Sequence, residues 1–239
     1  MNAVPPKNAL QPETAEILRW LHDNADEKVR IGQARFGITP GRNLGIPVPA
    51  LRAESKSYRN HHSVALELWE SGIHEARIMA SMIASPKLFT PDEMDRWVAE
   101  LDSWDVCDQC CSNLFRKTAF AEDKIYGYAE DGREYVRRTA FVLIAVLAVH
   151  DKSIPDNRFA DYLRLAAKHS TDDRNFVMKA VNWAIRQIGK RNMPLNAVAT
   201  KTAADLAGSD NATARRTGKA ALRELSSPKT IAFIAAHRK

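Results

Sequence analysis

The stretch Asp102-Ser103-Trp104-Asp105-Val106-Cys107-Asp108-Gln109-Cys110-Cys111 gathers three carboxylates, one tryptophan and all three cysteines of the chain into ten residues. Four chemistries could be built from such residues: metal binding, thiol redox chemistry, a carboxylate acting beside an aromatic ring, or a helix start with sulfur on its buried face. A zinc site needs four ligands, commonly from paired motifs. Neither His61-His62 nor any other segment supplies the second pair, so no metal and no cofactor is expected. Redox chemistry at a CxxC belongs with a thioredoxin-like pattern, which this chain lacks. Cys107, Cys110, Cys111 and Leu114 fall at i, i+3, i+4 and i+7 and read as one apolar helix face. Asp102 or Ser103 can cap that helix, and Asp105 is accounted for as an acid near its N-terminus. Trp104 and Asp108 stand at i, i+4 and so share a face. Asp108 lies past the first turn, where the helix dipole no longer explains it. It is either one half of a structural ion pair with an arginine or a working carboxylate beside Trp104.

These residues need elements to position them. With only 10 glycines and 11 prolines in 239 residues, most of the chain reads at helical spacing. Met94, Trp97, Val98 and Leu101 form one apolar stripe; Val177, Val181, Ala184, Ile185 and Ile188 form another; Gly218, Ala221, Leu222 and Leu225 form a third. Breaks fall at Thr39-Pro40-Gly41, Pro47-Val48-Pro49, Ser85-Pro86, Thr90-Pro91, Ile154-Pro155, Met193-Pro194 and Ser227-Pro228. Strand-like alternation is scarce. The chain is expected to be all-α, with about a dozen helices of ordinary length. Three segments resemble one another, beginning at Val136, Val177 and Ala214, with a fainter copy at Glu75. Each of the three carries an early cation, Arg138, Lys179 and Arg216, spaced 41 and 37 residues apart. That period suits one helix pair per repeat, as in HEAT and armadillo proteins. The expected fold is a HEAT-like helical repeat solenoid. No linker or low-complexity segment divides it, so residues 1–239 are expected to form a single domain.

The net charge is +6 and the pI about 9.3. No stretch approaches the roughly 20 apolar residues of a membrane helix, and MNAVPPKNALQPETAE lacks a signal-peptide core. Clustered cysteines do not make a secreted disulfide framework. A cytoplasmic protein without membrane association is expected. The basic balance favours a polyanionic partner, provided the charge is localised. In the helix over Asn175 to Lys190, Lys179, Trp183, Arg186 and Lys190 lie opposite the apolar stripe. Trp183 is then either core under a neighbouring repeat or a stacking surface among phosphate-binding cations. Near Ala214, Arg216, Lys219 and Arg223 again lie opposite the apolar stripe. Two such faces on stacked repeats would form a groove suited to duplex phosphates. Arg133, Arg137 and Arg138 crowd the first turns of a helix that is apolar all round from Thr139 to Val149. Cations there oppose the helix dipole and need an anionic partner. For Arg138 that partner is a phosphate or a structural carboxylate.

WDVCD, VRRTAF and VMKAVNWAIRQIGKRN, in this order, resemble the DNA alkylation repair family, the AlkD-like HEAT-repeat DNA glycosylases. The segment FGITPGRNLGIPVPALRAESK from Phe36 is similar to that family's N-terminal region, so the resemblance runs from Phe36 to Leu225. It implies a glycosylase that excises cationic alkylated purines, such as 3-methyladenine and 7-methylguanine, from duplex DNA. The family's motifs place Trp104, Asp108 and Trp183 at the reaction centre and Arg138, Lys179 and Arg186 on DNA. The basic faces add Arg137, Lys190, Arg216 and Lys219 to the DNA-binding set. The implied partner is double-stranded DNA with alkylated bases, met by a monomer. The chain departs from the family in lacking a doubled tryptophan before Asp105, in its VCDQCC cluster, and in Thr139 where alanine is common. Two other readings stand beside this one: a non-catalytic HEAT-repeat protein that binds damaged or branched DNA, and a protein-interaction solenoid.

Overall fold

The computed structural model describes residues 10–38 and 43–236; the break at Thr39-Pro40-Gly41, and with it residues 39–42 of the segment from Phe36, lie outside the described residues. All regular structure among the described residues is helical. Fourteen α-helices follow in order: α1 Pro12–Asp23, α2 Glu27–Gln33, α3 Val48–Glu54, α4 His62–Glu70, α5 His74–Ile83, α6 Pro91–Ala99, α7 Trp104–Asn113, α8 Ala121–Glu130, α9 Glu134–His150, α10 Asp156–Lys168, α11 Asn175–Gly189, α12 Met193–Ala207, α13 Ala212–Leu225 and α14 Pro228–Ala236. Several of the described prolines start helices. Pro91 and Pro228 open α6 and α14, Pro155 caps α10 and Pro194 is the second residue of α12. A first-turn residue has no intrahelical use for its N–H, so proline's missing donor is harmless there. No described helix is long and apolar enough to cross a membrane.

The chain divides into two compact units, residues 1–94 and 95–239. In the first, Glu67 of α4 accepts hydrogen bonds from the Gln11 backbone and the Thr14 hydroxyl, tying α1 to α4. Glu75 of α5 is 1% exposed and accepts from the backbone N–H groups of Leu44 and Gly45, both at 2.8 Å, and of Ile46 at 3.3 Å. One carboxylate thereby satisfies three donors that would otherwise be costly to bury. Gly45 has φ +82°, and a Cβ there would lie 2.2 Å from the Asp26 carbonyl oxygen.

The second unit is the repeat array. Helices α9, α11 and α13 pack side by side, with α10 and α12 as the adjoining layer and α8 against α9. The first residues of α9, α11 and α13 are 41 and 37 positions apart, the spacing of Arg138, Lys179 and Arg216. The turns before these helices repeat as well. Asp131 Oδ1 accepts from the Arg133 backbone at 2.8 Å, Asp172 Oδ1 from the Arg174 backbone at 3.2 Å, and Ser209 Oγ from the Asn211 backbone at 3.2 Å. The middle of α9 is covered by α7, α8, α10 and α11, and residues 138–148 are all buried. Val149, expected to end the buried run, is instead 42% exposed, because the cover stops one residue earlier. The stripes beginning at Met94 and Val177 are buried throughout; in α13 Gly218, Ala221 and Leu225 are buried and Leu222 partly so.

Gly218 sets how closely α13 approaches α12. A Cβ there would lie 2.3 Å from the Ala207 backbone nitrogen and 2.6 Å from the Ala203 carbonyl oxygen. Backbone cannot yield as a side chain can, so Gly218→Ala is expected to cost about 1–3 kcal/mol in urea denaturation. Gly127 of α8 has open space around it, and Gly127→Ala should instead stabilise by about 0.5–1 kcal/mol through helix propensity.

Candidate functional site

Helix α7 presents two sets of side chains. Cys107, Cys110, Cys111 and Leu114 are 0% exposed and face the core. The Cys107 sulfur lies 3.3 Å from the Thr139 hydroxyl of α9. The cysteines are therefore the packing face that seats α7 on α9. Burial pushes the Cys111 thiol well above its ordinary pKa, so it stays protonated and unreactive. Ser103 is the N-cap by position, yet its hydroxyl bonds the Asp105 carboxylate and no helix N–H, and Asp102 is exposed outside the helix.

Seating α7 on α9 brings Asp108 against Arg138. Arg138 Nε donates to Asp108 Oδ1 at 3.0 Å and Nη2 to Oδ2 at 2.8 Å, a two-pronged contact. Nη1 of the same guanidinium donates to the Phe176 carbonyl oxygen of α11 at 2.6 Å. One side chain thus links three helices. Its Cζ lies 5.9 Å from the Trp104 ring centre and 6.0 Å from that of Phe176, the outer range of a cation–π contact. The sequence alternatives for Asp108 and Arg138 meet here: each is the other's structural partner. They are not equally covered. The Arg138 side chain is 5% exposed and that of Asp108 20%, so Asp108 is the less deeply covered of the two. Burial pushes the Asp108 carboxyl above the usual aspartate value, with Arg138 pulling the other way and Asp105 adding to the rise. Burial works against the charge on Arg138 too, but the attraction of Asp108 leaves its pKa raised.

The other cations at the start of α9 are also partnered. Arg133 pairs with Asp131, and Arg137 donates to Asp172 at 2.7 Å and to the Ala129 carbonyl at 2.9 Å. Asp172, although burial disfavours its charge, is pulled down to about 2 by hydrogen bonds from Arg174 and Arg137. Each cation that opposes the dipole of α9 therefore faces a carboxylate.

On α11, Lys179 is exposed, with its ammonium 5.8 Å from the Phe176 ring centre. Trp183 is half-buried and has no ring or cation partner among the described residues. Arg186 and Lys190 both pair with Glu224 of α13. On α13, Arg216, Lys219 and Arg223 are exposed, have no ion-pair partner among the described residues, and border a shallow depression of about 360 Å³. The two basic faces are adjacent, but Glu224 interrupts the row of cations. A cavity of about 450 Å³ lies at the far ends of α9 and α11, lined by Val149, Lys190, Glu224 and Phe233 among others. None of Trp104, Asp108, Arg138 and Trp183 lines it.

Two site residues escaped the sequence reading. Phe176 supplies the carbonyl that holds Arg138, and its ring stacks on Tyr135 with centres 6.0 Å apart. Tyr135 and Phe176 are 41 residues apart, the same place in successive repeats. That repeat register was the available signal. The arrangement as a whole is a partly covered carboxylate held by an arginine that lies near two aromatic rings, with exposed cations on later repeats. It can place negative potential beside a cationic group while nearby cations hold phosphates.

A solved structure described as a new family of proteins related to the HEAT-like repeat DNA glycosylases, with affinity for branched DNA structures, superposes with a TM-score of 0.74. It is 17% identical, and the match covers 88% of this chain and 94% of that one. A designed armadillo repeat protein also matches, at a TM-score of 0.36 and 17% identity over 74% of this chain and 92% of its own. Among curated proteins no sequence match is found. The family model of the DNA alkylation repair enzymes matches residues 17–225. With nearly the whole chain inside that match, the protein belongs to the DNA alkylation repair enzyme family.

Proposed function

We propose that this protein excises cationic N-alkylated purines, such as 3-methyladenine and 7-methylguanine, from duplex DNA by hydrolysing the N-glycosidic bond, with Asp108 as the reacting-centre carboxylate. The observation that supports this reading is the Asp108 carboxylate held by Arg138, whose guanidinium lies over the Trp104 ring, with the Asp108 side chain less deeply covered than its partner. An alkylated purine bears a positive charge and leaves readily. The C1′–N bond breaks, its electron pair neutralises the departing base, and positive charge develops on the sugar. A fixed carboxylate stabilises that charge. Each Asp108 oxygen has a lone pair beyond the one Arg138 uses, so it can also orient the water that adds to C1′ and accept its proton. The ring faces of Trp104 and Trp183 suit contact with the cation and the deoxyribose. Lys179, Arg216 and Lys219 are the cations open to phosphates; Arg137, Arg138, Arg186 and Lys190 already hold carboxylates.

A second reading has an observation of its own. Both Asp108 oxygens are engaged by Arg138, as expected of a structural ion pair in a protein that binds damaged or branched DNA without cutting it. Release of 3-methyladenine from methylated duplex separates the two. Asp108→Asn keeps one oxygen for Arg138 but leaves its charge without an anion, so the fold is checked by circular dichroism before release is read. Base release is expected to fall roughly 100- to 1,000-fold, the scale of losing one preorganised electrostatic group, while duplex binding persists. Equal release by wild type and variant would remove Asp108 from the chemistry.

The reaction needs Asp108 ionised, and burial raises its pKa above the ordinary value of 3.8. Single-turnover release should therefore rise with pH along a limb centred above that value, then level off; the substrate's fixed charge adds no titration. An acid limb at or below 3.8 would contradict the buried site. For binding, Arg216→Gln with Lys219→Gln should lower the slope of log K against log salt by about 0.9 for each phosphate left without its cation, measured by fluorescence anisotropy on a duplex.

A further inference from the structure

Helices α11 and α13 together carry Lys179, Arg186, Arg215, Arg216, Lys219 and Arg223, and Glu224 is the one acidic residue in either helix. It does not face away from the cations. It reaches across to α11 and takes both Arg186 and Lys190 as partners. The three side chains remain between 26% and 30% exposed, so the cluster lies at the surface and is not core. Ion pairs this exposed are weak and exchangeable. The pull of its two partners, working against burial, lowers the carboxyl pKa of Glu224, which keeps it ionised at neutral pH.

We infer that Glu224 is a built-in counter-charge that limits the affinity of the α11–α13 surface for duplex DNA by occupying Arg186 and Lys190 in the free protein. The inference rests on the DNA-binding reading of this surface. A phosphate approaching α11 must displace Glu224 or tolerate its charge, so two cations that could release counterions on binding contribute less than Arg216 and Lys219. A repair protein meets undamaged duplex in large excess, and unspecific binding is set by such phosphate contacts. One carboxylate in the basic row lowers that background without altering the residues around Asp108.

The test is duplex binding by Glu224→Gln and Glu224→Asp across salt. Glu224→Gln keeps the shape and removes the charge. It is expected to bind unmodified duplex more tightly and to steepen the salt slope by up to about 1.8, the value for two further phosphates neutralised, so that affinity falls roughly tenfold more than for wild type between 50 and 200 mM salt. Glu224→Asp keeps the charge and should behave as wild type. If the Gln variant loses helicity by circular dichroism, Glu224→Ser is read in its place. A slope unchanged or shallower in the charge-free variant, while Arg216→Gln with Lys219→Gln lowers the wild-type slope, overturns the role of Glu224 alone. Absence of any salt-dependent duplex binding by wild type overturns the DNA-binding reading beneath it.

Discussion

The site depends on one buried ion pair. Arg138 is 4% exposed, in a helix whose central turns are otherwise apolar. Taking a guanidinium out of water costs several kcal/mol unless a well-placed anion and further acceptors replace the solvent. Asp108 supplies the anion through both oxygens, and the Phe176 carbonyl supplies the third contact. Removing one partner from such a pair commonly costs about 3–5 kcal/mol, because it leaves the other charge buried and alone. The registers of α7, α9 and α11 are thus tied through one residue. The same tie fixes the carboxylate on the helix that carries Trp104.

Charge elsewhere follows the same logic at different depths. Arg137 at the start of α9 meets Asp172 across the joint between repeats, while Arg133 pairs locally with Asp131. Glu224 holds Arg186 and Lys190 at the surface, where solvent weakens the pairs. Arg216, Lys219 and Arg223 are exposed and have no ion-pair partner among the described residues. A net charge of +6 does not predict this grading from buried to surface to unpaired. It follows from which repeat faces which, and it separates cations that build the array from cations available to a partner.

Much of this was legible in the chain. The 41- and 37-residue spacing of Arg138, Lys179 and Arg216 matches the starts of α9, α11 and α13, because a stacked repeat must present the same face at the same interval. Pro91, Pro155, Pro194 and Pro228 marked helix starts, and the i, i+3, i+4 stripe of Cys107, Cys110 and Cys111 became the packing face of α7. The end of the buried run in α9 was misplaced at Val149, because an apolar sequence does not show where the covering helices stop. Phe176 was overlooked because its main contribution is a backbone carbonyl, which side-chain identity does not encode.

The sequence by itself determined the helices, their repeat and the faces on which Trp104, Asp108, Trp183 and the cations would lie, because those follow from local periodicity of 3.6 residues per turn. Only the tertiary structure decided the pairings. Asp108 meets Arg138 from 30 residues away, and Arg186 meets Glu224 from 38. Whether a charge is buried, screened or open depends on the distance and dielectric set by packing, and no one-dimensional pattern carries that information.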